Sequence, residues 1–189
     1  YGNILGFDDE IFKITPLAID INNTRGLHAA EMTADALLNM GKKTSTSEIL
    51  VCGASYRQDV GDTRYSGSEI VVRKLTEMGA SVNVHDPYVK NWPELEDQDH
   101  DTHGKKKFFT NQDHLSELRV KSDLSSSLSG TDAVVLAVPH SEYLQLDPEE
   151  MAKHVGKPFA IIDCFCILND DDIHRFIELG CEVKGLGRG

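Results

Sequence analysis

Apolar and polar positions fall into two periods along this chain, and the changes between them predict alternating helices and strands. From Thr15 to Met40 the period is helical: Leu17, Ile21, Thr24 and His28 share one stripe, and Leu27, Ala30, Ala34 and Leu37 another. Thr15-Pro16 has the form of an N-cap with proline at the first helical position, and Gly41 is the stop. Gly26 falls inside this pattern at a cost of about 1 kcal/mol relative to alanine. The segment is therefore either one long helix or two helices broken at Gly26. One helix of that length, with two apolar stripes, would connect domains or pack against a second subunit.

Beyond it, strand-length apolar runs alternate with amphipathic segments. Strands are expected over 48–54, 81–85, 132–138, 159–163 and 182–184. Ser66-Gly-Ser-Glu69 has the form of a capping box; it opens a helix with Ile70, Val71, Leu75 and Met78 on one face and Gly79 at its end. A short helix is expected over 123–128 and another from Asp147-Pro-Glu-Glu150. Asn169 and three aspartates open a third, with Ile173, Phe176 and Ile177 facing inward and Gly180 closing it. Strands alternating with helices imply parallel pairing and right-handed crossovers. The expected fold is α/β: a doubly wound, mainly parallel Rossmann-like sheet with a long N-terminal helix. Residues 1–45 form the lead-in and helix, and 46–189 the Rossmann-like domain. Asn91 to Glu117 breaks the rhythm; polar, mixed in charge and without period, it is read as an exposed excursion.

Composition narrows the partners. The 189 residues carry a formal charge of −12, which argues against nucleic acid or an anionic membrane, since both are bound by clustered Lys and Arg. A small phosphorylated ligand needs only one or two local cations. The longest apolar runs are well short of the ~20 residues of a membrane span, and no secretory signal opens the chain. It also lacks an initiator Met, so it is expected to begin mid-protein. The four cysteines, at 52, 164, 166 and 181, are read as reduced, structural thiols of a cytoplasmic protein. Cys164-Phe-Cys166 is too closely spaced for zinc, and His100 and His103 lie on the excursion as solvated side chains, so no metal is expected.

The chemistry concentrates between Ile49 and Ser66: an apolar strand, a small-residue turn, a basic residue, then Asp59-Val-Gly-Asp62-Thr63-Arg64 leading into a helix. Loops at the carboxyl ends of strands are where α/β sheets bind ligands, so Arg57 and the loop amides are placed to meet an anion. Arg57 either offers a bidentate fork to a diphosphate or is a surface arginine paired with Asp59. Arg64 is expected to pair with Asp59 or Asp62 and hold the loop's shape. Tyr56 either stacks on a base or sugar or caps the sheet. Cys52-Gly-Ala-Ser-Tyr56 is not the glycine-rich turn that lets a backbone approach a pyrophosphate, so the dinucleotide machinery is missing. Asp86 holds the position of a ribose-binding acid, yet Asp86-Pro87-Tyr88 reads equally well as a turn. His140, at the carboxyl end of its strand, is read as a turn-shaping residue rather than a catalytic one.

This run resembles the opening of the C-terminal domain of the NAD-dependent UDP-glucose/GDP-mannose dehydrogenase family, where a Tyr-Lys-x-Asp-x-x-Asp-Thr-Arg-x-Ser-type segment contacts the nucleotide diphosphate. Ala18-Ile-Asp-Ile-Asn22 resembles the family's central, dimer-building helix, and Val84-His-Asp-Pro-Tyr88 its strand-ending Tyr-Asp-Pro-Tyr. Gly130 to His140 resembles its Ala-Asp-Ala-Val-Val-Val-x-Thr-x-His run; Phe159 to Asp163 and Gly185-Leu-Gly-Arg188 resemble its closing strands. Together these cover nearly the whole chain in the right order. The resemblance implies a UDP-sugar contacted by Tyr56 and Arg57, a motif loop of Asp59, Asp62, Thr63 and Arg64, and a homodimer through the N-terminal helix. For the full enzyme it implies oxidation of the sugar's C6 alcohol to a carboxylate, with NAD as oxidant and a thiohemiacetal and thioester on a cysteine. That cysteine's Gly-Gly-x-Cys-x-Pro-Lys-Asp motif and the NAD-binding domain are absent from this chain. No catalytic or cofactor-binding residue is therefore assigned to it, and alone it is expected to be inactive. A UDP-N-acetylmannosamine-type sugar is the first expectation and UDP-glucose the second. Two positions depart from the pattern: Arg57 stands for the family's lysine, and Cys164-Phe-Cys166 stands where members carry Gly-Arg-Asn or Gly-Arg-Arg. The alternative is a non-catalytic binding or assembly module on the same fold.

Overall fold

The computed structural model describes residues 14–96 and 112–187. Its frame is a six-stranded sheet in the order β3-β2-β1-β4-β5-β6, every pair parallel. The strands are β1 (Glu48–Cys52), β2 (Ser81–His85), β3 (Val120–Lys121), β4 (Ala133–Leu136), β5 (Ala160–Asp163) and β6 (Glu182–Gly185). The helices are α1 (Ile14–Asn39), α2 (Gly67–Glu77), α3 (Pro93–Glu96), α4 (Leu124–Leu128), α5 (Pro148–Val155) and α6 (Asp170–Glu178). This is the doubly wound α/β fold that the alternation predicts.

The central strands β1, β4 and β5 are continuous apolar runs because helices cover both of their faces. On one face Ile49, Val51, Val135 and Ile162 pack with Ala30, Leu37 and Leu75 of α1 and α2. On the other Leu50, Val134, Leu136 and Ile161 pack with Tyr143, Met151 and Phe176. Asp147 caps α5 through the Glu150 amide, and Asn169 with Asp172 completes a capping box on α6.

α1 runs unbroken through Gly26, so the two-helix alternative does not occur. The glycine has a packing reason: a Cβ there would lie 2.8 Å from the Ile70 Cβ and 3.0 Å from the Gly67 carbonyl oxygen. The backbones of α1 and α2 cross at that point, and the contact offsets the propensity cost. Thr15 and Pro16 lie inside the first turn, which tolerates proline. The apolar positions of α1 have different fates. Ala29, Ala30, Ala36 and Leu37 join the core, whereas Leu17, Ile19 and Ile21 are more than half exposed.

Three local expectations need correction. Ser66 caps α2 by accepting from the Ser68 amide, but no reciprocal bond completes the box, because Glu69 spends its carboxylate on Arg73 (2.8 Å, both side chains buried). Ile177 faces solvent, leaving Phe176 as the fully buried residue of α6. The ends of the 91–117 excursion are not exposed: Trp92, Leu95 and Leu115 enter the core, and α3 and a 3-10 turn over Asp113–Glu117 lead into β3. Residues 97–111, with His100 and His103, lie outside the described residues. Among the described residues no helix is long and apolar enough to cross a membrane.

Candidate functional site

β1 has β2 on one side and β4 on the other, so the loops after β1 and β4 leave the sheet in opposite directions. In α/β sheets such a topological switch point is where a crevice forms at the carboxyl ends of the strands. The β1 loop begins at Gly53, whose amide donates to the His85 carbonyl at 2.8 Å. Its φ of 106° suits glycine, and an added Cβ would lie 2.5 Å from the Val138 Cβ. The chain thus turns out of the sheet pressed against the β4 loop.

Asp86, at the end of β2, organises the crevice floor. Its Oδ2 accepts from the amides of Ala54 (2.7 Å) and Ser55 (3.1 Å) and from His140 Nε2 (3.1 Å). Its Oδ1 accepts from the amides of Tyr88 (2.8 Å) and Val89 (3.0 Å). The turn alternative for Asp86-Pro87-Tyr88 is therefore what the structure adopts, and the carboxylate is committed. Burial opposes its charge, but the bonds from His140, Ala54 and Tyr88 outweigh burial and hold the carboxyl at about 2. A carboxyl depressed from 3.8 stabilises the fold fully above that value, and the contribution is lost as pH falls toward about 2. Melting temperature is expected to drop through that window, and with a shallower slope in Asp86→Asn. Melts at stepped pH check this.

His140 is fully buried. Its Nδ1 accepts from the Asp59 amide at 2.9 Å. An amide can only donate, so Nδ1 is unprotonated and the ring is the neutral Nε2–H tautomer. Nε2 faces both Asp86 Oδ2 and Ser55 Oγ, the latter at 3.0 Å. Serine, histidine and aspartate meet here, but not as a nucleophilic triad. A triad places serine and aspartate on opposite nitrogens, whereas here they share one and the serine is buried. The cluster shapes loops.

The motif loop divides into an inner and an outer part. Asp59, at φ 55°, accepts from the Ser141 amide (2.9 Å) and hydroxyl, and the Ser141 bonds hold its carboxyl below the usual range. Asp62 takes a two-pronged bond from Arg64 (2.9 and 2.7 Å), and Arg64 holds its carboxyl at about 2. The Thr63 hydroxyl donates to Glu94 at 2.7 Å, and Arg73 reaches the Glu94 carbonyl, so α3 is pinned to the loop. With Asp59 and Asp62 so occupied, Arg57 has no carboxylate partner among the described residues. Its guanidinium lies 5.5 Å from the Tyr56 ring centroid, and both side chains are exposed.

After β5, Asp163 repeats the device of Asp86, accepting from the amides of Phe165, Ile167 and Leu168 at 3.0 Å each. Cys166 takes φ 54°, and Phe165 is exposed beside it. The sequence marked Asp86 as a ribose-position acid or a turn residue but not as the acceptor of five donors, and it marked Asp163 only as a strand end; the available signal was an acid closing an apolar strand just before a turn. Cys52, Cys164 and Cys181 are buried and Cys166 is exposed, all unpaired. Burial pushes the Cys164 thiol up to about 12 and raises Cys52 further, the reverse of what a nucleophile needs. Among the described residues no cluster of three or more His, Cys, Asp or Glu could hold a metal. Nor do these residues fit a dinucleotide: Ala54, Ser55 and Tyr56 fill the turn, α2 starts only at Gly67, and Asp86 is committed.

Comparison with known proteins identifies the family. Residues 50–170 match the UDP-glucose/GDP-mannose dehydrogenase family, UDP binding domain. UDP-glucose 6-dehydrogenase of Gallus gallus is 25% identical over 181 residues, covering 95% of this chain and 34% of the relative. UDP-N-acetyl-D-mannosamine dehydrogenase of Methanocaldococcus jannaschii is 24% identical over 179 residues, covering 94% and 34%. Among solved structures, NDP-N-acetyl-D-galactosaminuronic acid dehydrogenase from Methanosarcina mazei superposes with a TM-score of 0.75 at 29% identity, covering 93% of this chain and 32% of that one. The chain spans about a third of the length of the curated relatives it matches. It belongs to the UDP-glucose/GDP-mannose dehydrogenase family, whose UDP-binding domain it carries.

Proposed function

We propose that this chain is the nucleotide-sugar-binding and dimer-forming C-terminal part of an NAD-dependent nucleotide-sugar 6-dehydrogenase. The observation that supports this best is Arg57, an exposed guanidinium with no ion-paired acid among the described residues, laid against Tyr56 at the switch point. A guanidinium fork matches two oxygens of a diphosphate, and an exposed tyrosine face suits a base or sugar. Asp59, Asp62, Thr63 and Arg64 serve as the loop's frame rather than as ligand contacts. The oxidation, from C6 alcohol to carboxylate, belongs to parts of the protein other than these residues: the cysteine nucleophile and the NAD site lie outside this domain. A UDP-N-acetyl-hexosamine of the mannosamine type is the first substrate and UDP-glucose the second. We also propose the division at residues 45 and 46, with the exposed Leu17, Ile19 and Ile21 of α1 forming the surface for a second copy.

UDP is expected to raise the melting temperature, since saturation at a hundred times Kd adds about 2.7 kcal/mol. Arg57→Ala is expected to weaken UDP about tenfold or more, the worth of a hydrogen bond to a charged group. Its own melting temperature should change little, because the side chain is exposed and makes no ion pair among the described residues. No protection by millimolar UDP or UDP-sugar rejects the proposal.

Phe165 favours a second reading, an assembly module with no enzyme attached, because it stands where the family's arginine would add a second cation. Light scattering after size exclusion separates the two. A dimer indifferent to nucleotide supports assembly; a dimer that also binds UDP supports the dehydrogenase.

A further inference from the structure

Arg57 sits on a short span whose two ends rest on one imidazole. Ser55 precedes it, with its hydroxyl 3.0 Å from His140 Nε2 and donating to the Arg57 carbonyl at 3.1 Å. Asp59 follows it, with its amide donating to His140 Nδ1 at 2.9 Å. The ring therefore brackets Tyr56-Arg57-Gln58 from beneath without reaching the crevice itself, since it is fully buried. It is in turn held by Asp86 and flanked by the rings of Tyr88 (5.1 Å) and Tyr143 (5.5 Å). The two ends differ in how much they depend on it. Ser55 is anchored independently, by its amide to Asp86 and by its carbonyl to the Ser66 hydroxyl. Asp59 is held through its carboxylate by Ser141, but its amide has His140 Nδ1 as its one acceptor among the described residues.

We infer that His140 is a positioning residue for nucleotide binding, which acts by accepting the Asp59 amide at Nδ1 and so fixes where Arg57 presents its guanidinium. The inference rests on the proposal that Arg57 meets the nucleotide. Its content is the acceptor at one ring position, and this separates it from a general packing role. An asparagine oxygen occupies nearly the place of Nδ1 and can accept the amide. A glutamine amide reaches toward the place of Nε2 and leaves the Asp59 amide unserved.

The test is UDP titration calorimetry on the full chain and on His140→Asn, His140→Gln and His140→Ala, alongside hydrogen exchange at the Asp59 amide. Wild type and His140→Asn are expected to bind UDP within about threefold of each other and to protect that amide. His140→Gln and His140→Ala are expected to bind about tenfold more weakly and to exchange it freely, the scale of one lost hydrogen bond. If His140→Ala does not fold, the Asn and Gln pair carries the same contrast. Glutamine rescuing where asparagine does not, or all variants binding like wild type, overturns the inference while the nucleotide reading stands. A wild type that binds no UDP removes both.

Discussion

Asp86→Ala is expected to lower the unfolding free energy by about 4 kcal/mol, near the top of the range for single substitutions. The carboxylate receives five donors: the amides of Ala54, Ser55, Tyr88 and Val89, and His140 Nε2. Each buried donor left unserved costs about 1–3 kcal/mol. Water entering the vacated space and loop relaxation keep the total well below five such penalties. The donors come from loops after β1, β2 and β4, so the substitution loosens the whole crevice at once. Asp86→Asn is expected to cost roughly half as much. It keeps one oxygen for two of the amides but turns an NH2 toward other donors. Urea denaturation checks both; a loss under about 1 kcal/mol for alanine, within the range of surface changes, would show that the hub is dispensable.

Gly53→Ala is expected to cost about 3–4 kcal/mol from two sources. A side chain at φ 106° is strained, worth about 1–3 kcal/mol. The new Cβ would also lie 2.5 Å from the Val138 Cβ and 2.9 Å from the Val138 nitrogen, and overpacking of that kind costs about 1–3 kcal/mol. The obstructing atoms are the Val138 Cβ, nitrogen and Cγ2 (2.6 Å), and two of the three are fixed to the backbone, so the β4 loop itself must move. Trimming Val138 to alanine is therefore expected to restore only part of the loss, because its Cβ and nitrogen remain. Full recovery in the double variant would mean that only the valine methyls clash.

The alternation of β1, β4 and β5 with helices was legible because strands buried on both faces are unbroken apolar runs. The caps at Ser66, Asp147 and Asn169 were legible because they act within a few residues. β3 was not: two residues, Val120 and Lys121, carry no period. The same limit hid the packing of Trp92, Leu95 and Leu115, whose apolar side chains are isolated in polar surroundings. Within the site, the pattern marked Tyr56 to Arg64 as a unit without ordering its charges. Asp59 was an available partner for Arg57 by proximity in sequence. In the fold it pairs with Ser141, 82 positions away, and that distant bond leaves Arg57 without an ion-paired carboxylate among the described residues. The imidazole beneath the loop depends on a contact 81 positions apart, and no local period signals it. Likewise, both stripes of α1 read as apolar, and only the packing on α2, β5 and β6 decides which half is covered.

The proposed ligand site is the switch point, built around Arg57. The most direct measurement is a titration of the isotope-labelled chain with UDP, followed by amide chemical shifts. Saturable shifts are expected in 53–59, 137–141 and 164–168, at the carboxyl ends of β1, β4 and β5, and their loss is expected in Arg57→Ala. No saturable shifts, or shifts centred on the opposite edge of the sheet, would contradict it.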